Sequence, residues 1–197
     1  MLRLELALPA PTQLGPIARG IATLDALLCA ELEHRYYSFD RHWGDGARKA
    51  SMRDGSGDEW FLVFTGPRAF LKGLAHDYPR GDVDAIYAGL PTALDAQRTE
   101  PAFSMAWTNY GGWYDDGWTL RCHPDAMRAA VERLAILAGA PETYREYAAE
   151  YFERDVPLDV IAHVYAGGPL DDRIVARVSD RTLAELADDL DEIGYPT

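Results

Sequence analysis

Between two glycine turns, Asp54-Gly55-Ser56-Gly57 and Thr65-Gly66-Pro67-Arg68, the chain carries Trp60-Phe61-Leu62-Val63-Phe64. A short run that is apolar on both faces reads as a central strand, Glu59 to Thr65, covered from two sides. Proline presets φ and glycine permits positive φ, so both flanking segments can reverse the chain tightly. Tyr37 with Phe39, Ala50 to Arg53, and Ala69 to His76 extend the pattern. The stretch from Tyr36 to His76 therefore predicts an antiparallel meander. Two further strands are expected at Phe103 to Trp107, with Phe103, Met105 and Trp107 on one face, and at Trp118 to Arg121. A loop at Gly111-Gly112 and a turn at Asp115-Asp116-Gly117 separate them.

Before the meander, Leu2, Leu4, Leu6 and Leu8 alternate with other residues, which is the period of a half-buried strand ended by Pro9 and Pro11. A helix is expected from Pro16 to Glu33, with Ile17, Ile21, Leu24, Leu28 and Leu32 on one face. From Pro124 the periodicity becomes helical: Met127, Val131, Leu134 and Ala138, then Tyr144, Tyr147, Ala148, Tyr151 and Phe152 after Pro141. Val160, Ile161, Val164 and Tyr165 follow Pro157, and Leu183, Leu186, Leu190 and Ile193 follow a Ser179 N-cap. Strands first and helices later indicate α+β architecture. The expected fold is one domain over 1–197, sheet-rich over 1–123 and helical over 124–197. Its antiparallel sheet of five or six strands packs against the N-terminal helix and a C-terminal cluster of short helices.

At 197 residues the chain is long enough to bury a core without a disulfide or structural metal. Its 32 acids against 19 Lys and Arg give a net charge of −13, a sign that repels nucleic-acid phosphates and anionic membranes. The same charge steers a basic protein toward the surface, and it also serves solubility. The acids concentrate late: from Asp171 to the end there are eight, against three Arg. With two cysteines, an N-terminus whose apolar character Arg3 and Glu5 interrupt, and no long apolar run, the expectation is a cytoplasmic protein with no membrane partner. Cys29 reads as a small buried apolar residue on the first helix.

The motifs carry little chemistry. Asp54, Ser56 and Asp58 alternate like cation ligands, but an EF-hand loop begun at Asp54 needs Gly at 59 and Glu at 65, where Glu59 and Thr65 stand. A turn explains the segment more simply. The five histidines form no HExxH, and Cys122-His123 has no second cluster, so no metal and no cofactor is expected. His76-Asp77 offers a base beside its orienter, though no serine lies in a GxSxG elbow. Of five tryptophans, Trp60 and Trp107 are expected in the core. Trp43, Trp113 and Trp118 flank turns, where an indole either anchors a partner or caps the core.

Three segments, His42 to Phe61, Asp155 to Tyr165 and Asp189 to Pro196, together resemble a group of small acidic bacterial proteins of unknown function. The resemblance spreads over most of the chain, implies a bacterial cytosolic protein, and supplies no catalytic residues. The leading expectation is a non-enzymatic binding protein, of the immunity or regulatory type, that captures a basic protein partner. The alternative is a small hydrolase-like enzyme with His42, Arg53, Asp54, Asp58, His76 and Asp77 gathered at the loop edge of the sheet. Those six, with Trp43, Trp113 and Trp118, are the candidate site residues. A homo-oligomer formed through exposed Trp and Tyr is a third reading.

Overall fold

A computed structural model describes residues 1–44 and 46–197. The fold is α+β. Among the described residues seven strands form one antiparallel sheet, one more than the upper expectation: β1 (Leu2–Arg3), β2 (Tyr37–Gly44), β3 (Ala47–Arg53), β4 (Glu59–Thr65), β5 (Arg68–Leu74), β6 (Tyr110–Tyr114) and β7 (Trp118–Cys122). Their order is β1-β7-β6-β5-β4-β3-β2, with every neighbouring pair antiparallel. The helices are α1 (Pro11–Leu28), α2 (Val83–Ile86), α3 (Met127–Leu134), α4 (Pro141–Tyr151), α5 (Leu158–Tyr165), α6 (Asp172–Val175) and α7 (Ala187–Ile193). No helix among the described residues is long and apolar enough to cross a membrane.

Because strand side chains alternate, the two-sided apolar run of β4 feeds two cores. Trp60, Leu62 and Phe64 point into a large core with α1, α4, α5 and α7, among them Ile21, Leu24, Tyr144, Ile161 and Leu190. Phe61 and Val63 point the other way, into a smaller core with Phe70, Trp113, Ile86, Tyr87, Leu94 and Phe103. That second layer comes from the segment holding α2 and two 3-10 turns (Thr92–Thr99, Pro101–Phe103), so the sheet is covered on both faces. Lys72 is fully buried on this side, paired with Glu59 and 5.5 Å from the Phe61 ring centroid.

Both sheet edges are blunted, as exposed edges must be. β1 is two residues long. On β2, the outward N–H of Tyr37 donates to Asp25 Oδ2 at 3.0 Å, and pairing with β3 breaks register between Asp40 and Gly44.

Several expectations are corrected. The N-terminal alternation forms only two residues of strand, although Leu4 and Leu8 are buried. The first helix runs from Pro11 to Leu28, so Pro16 lies inside it and Leu32 sits 55% exposed on a following turn. Phe103 to Trp107 is not a strand; the sixth strand falls on the glycine pair expected to be loop. Trp107 is therefore not core but 50% exposed, with the Arg80 guanidinium 3.2 Å from its ring centroid. The last helix begins at Ala187, and the Ser179 hydroxyl caps only a turn, accepting from Arg181 N–H at 3.1 Å.

Candidate functional site

Glu59 lies opposite Leu74 in the β4–β5 pair, so residues just outside those strand ends, Asp58 and His76, meet. Asp58 is buried and saturated. Its Oδ1 accepts the His76 backbone N–H at 2.8 Å and faces His76 Nδ1 at 2.8 Å; its Oδ2 accepts Arg133 Nε from α3 at 2.5 Å. Burial raises the Asp58 pKa, but the bonds from His76 and Arg133 outweigh it and hold the carboxyl below its ordinary value. Asp54 is spent on its own turn: Oδ1 accepts the N–H groups of Ser56 (2.9 Å), Gly57 (3.1 Å) and Asp58 (3.0 Å), and Oδ2 accepts the Ser56 hydroxyl at 2.6 Å. That is the turn expected there.

His76 Nε2 lies 3.1 Å from Asp77 Oδ1, so both ring nitrogens face carboxylates. An ionised carboxylate only accepts, so Nδ1 carries the proton shared with Asp58, and the Asp77 charge favours a second proton on Nε2 without a hydrogen bond to it. The bond to Asp58, then the Asp77 charge, raise the His76 pKa above its ordinary value. A general base needs a free lone pair, and both neighbouring carboxylates favour the protonated ring over that form. The His76–Asp58 contact then stabilises most from about pH 4 to 6.5. It is lost above that range as His76 deprotonates and below it as Asp58 is protonated. In an NMR titration the His76 midpoint should lie above about 6.5 and fall in Asp58→Asn. A wild-type midpoint at or below that value would remove the cationic assignment.

Four of the six loop-edge residues thus come together: Asp54, Asp58, His76 and Asp77. Arg53 does not join them, because it is on the opposite face of β3 from Met52, with its guanidinium 5.0 Å from the Phe61 ring centroid. His42 lies toward the far end of β2, accepting at Nε2 from Arg41 Nε at 2.8 Å. The tryptophans cap the cores. Trp113 is buried, Trp118 donates through Nε1 to Pro9 O at 2.8 Å, and Trp43 stacks on Phe103 at 5.8 Å beneath Lys49.

The helical side presents a different surface. From residue 124 onward there are sixteen acids and seven arginines, a net of −9. On α4, Glu142, Glu146 and Glu150 recur every four residues on the exposed face, and Glu153 follows three later. Among the described residues none of these four has an ion-pair partner within 4.0 Å. The same helix carries an aromatic patch to the surface: the Tyr151 ring is 4.1 Å from Tyr36, 5.8 Å from Tyr147 and 4.8 Å from Phe152. Tyr151 is 38% exposed, and its hydroxyl donates to His34 O at 2.8 Å.

Beneath this patch the fully buried Asp25 carboxylate accepts from Tyr144 OH (2.8 Å), Tyr147 OH (3.2 Å) and Tyr37 N–H. Burial pushes its pKa up to about 7 despite those bonds. Two open grooves adjoin the acidic side. One, of about 490 Å³, lies between Glu33 and Glu192 with Tyr36, Ser38 and Arg53 in its lining; the other, of about 560 Å³, is edged by Asp172 and Asp191. The Tyr144-Tyr147-Tyr151 spacing signals the aromatic face in the sequence. Nothing local signals Arg133 or the burial of Asp25. No protein-family model matches the chain, and no curated protein or solved structure is significantly similar to it.

Proposed function

We propose that this is a non-enzymatic binding protein of the immunity type, acting in a bacterial cytosol, that captures a basic protein partner on its helical side. The observation that carries the reading is the α4 surface, where the carboxylates of Glu142, Glu146, Glu150 and Glu153 border the Tyr36–Tyr151–Phe152 patch. Aromatic anchors of this kind supply most of the energy at protein interfaces, while rim charges set approach rate and choice of partner. Nucleic acid is disfavoured as a partner by the sign of the surface. The hydrolase alternative has less support, because His42 and Arg53 lie away from the other four residues and His76 faces carboxylates rather than a nucleophile.

The test is capture from bacterial lysate at low and at high salt. A basic protein should be retained at low salt and released as the screening length contracts from about 10 Å at 0.1 M to about 3 Å at 1 M. Tyr151→Ala should weaken capture by roughly 2 kcal/mol, about thirtyfold. Recovery of no salt-sensitive partner would count against the proposal.

A further inference from the structure

Directly beyond α1, Cys29, Glu31 and His34 each place one ligand atom within 4.8 Å of the other two. The sequence alone places Cys29 on a buried helix face and leads to no expectation of a metal. In the structure it follows the last helical residue in extended backbone, half-buried, with Glu31 and His34 exposed beside it. We propose that these three side chains bind one borderline-soft divalent cation of the Zn²⁺ type, leaving a fourth position open.

The donor set is one thiolate, one imidazole and one carboxylate, the ligand types that Zn²⁺ takes. Three protein ligands with an open fourth position is the arrangement of accessible zinc centres rather than closed structural ones. With metal bonds of about 2.0–2.3 Å, tetrahedral ligands stand roughly 3.5 Å apart. The three ligand atoms, now within 4.8 Å of one another, have to close by about 1 Å to reach that spacing.

The backbone is already fixed. Arg35, itself buried, donates through Nε to Cys29 O at 2.8 Å and through a terminal nitrogen to Ala30 O at 2.7 Å, and Asp189 holds its guanidinium at 2.7 and 3.0 Å. At the other end, His34 N–H donates to Glu31 O at 3.1 Å and Tyr151 OH donates to His34 O. These contacts hold the ligand-bearing loop as an outer shell does, orienting it before metal arrives. Glu33, exposed on the same turn, adds negative charge that favours a cation. On binding, the Cys29 S–H bond breaks, sulfur keeps the electron pair for the metal, and the proton leaves to solvent.

Co²⁺ titration of the reduced full-length protein tests this. One equivalent should produce a thiolate-to-cobalt charge-transfer band, displaced by Zn²⁺, absent in Cys29→Ser and retained in Cys122→Ser. Glu31→Gln and His34→Gln should each weaken affinity by more than the roughly 10–100-fold that loss of an outer-shell partner costs. Glu31 and His34 are exposed, and Cys29, half-buried, is exchanged for a residue of nearly the same size, so circular dichroism should be unchanged. Absence of the band at one equivalent would overturn the proposal. So would a band of undiminished affinity in both Glu31→Gln and His34→Gln, which would leave the thiol acting alone.

Discussion

Asp25→Ala should cost about 3–5 kcal/mol of stability and lower Tm by roughly 6–20 °C, because it strands buried donors at about 1–3 kcal/mol each. The Tyr37 N–H and Tyr144 hydroxyl are both buried and lose their acceptor, and the half-buried Tyr147 loses its own. Asparagine keeps an acceptor for Tyr37 and should be far milder. The same residue governs pH dependence. Its pKa is raised by burial from 3.8 to about 7, so the folded state holds the proton more tightly than the unfolded chain. The stability this contributes is complete below about pH 4, declines as pH rises through about 7, and levels off above. The difference amounts to about 4 kcal/mol. Other carboxyls with lowered pKa, Asp58 and Asp189 among them, oppose this trend in the whole protein. The clean comparison is therefore the stability of wild type minus that of Asp25→Asn by chemical denaturation, a signed difference that should fall by about 4 kcal/mol between about pH 4 and pH 8. A constant difference would mean that Asp25 is ionised throughout.

The second large effect is expected at Gly112, where a Cβ would stand 1.9 Å from Thr119 O and 2.9 Å from Leu120 Cα on β7. Those are backbone atoms of the paired strand, so no rotamer change relieves the overlap. Gly112→Ala must push β6 and β7 apart, at a cost above the usual range of about 1–3 kcal/mol for overpacking. Gly117, in the turn joining those strands, has nothing within 4 Å of where a methyl group would stand and serves as control. Gly117→Ala should change stability by no more than about 0.5 kcal/mol. Equal melting of the two variants would refute the close approach.

The same glycine explains where sequence reading stopped. β4 was legible to its end residues because its signals are local: two turns and a run apolar on both faces. β6 was not, since Gly111 and Gly112 look like loop unless one knows what they approach, namely Tyr87 OH, Leu71 O and the β7 backbone. The apolar period at Phe103, Met105 and Trp107 imitated a strand, but the backbone there makes a 3-10 turn and Ser104 takes a left-handed conformation. At α1 two prolines, Pro11 and Pro16, each suit a first turn, and the periodicity continued past the true end to Leu32. That overrun placed Cys29 within the helix and hid its neighbours Glu31 and His34. In the candidate site, Asp54, Asp58, His76 and Asp77 were legible together because three consecutive strands, β3, β4 and β5, bring them to one end of the sheet. Arg133 enters only through packing of α3, and Arg53 was lost to the alternation of β3.

Capture on the helical side is tested most directly by hydrogen exchange on the protein bound to its captured partner, alongside capture by the fourfold variant Glu142→Gln, Glu146→Gln, Glu150→Gln, Glu153→Gln. New protection is expected across α4 and the 29–36 segment, with weakened, less salt-sensitive capture by a variant whose fold is unchanged. Protection confined to the 83–107 layer on the other face of the sheet, with the variant binding as well as wild type, would contradict it.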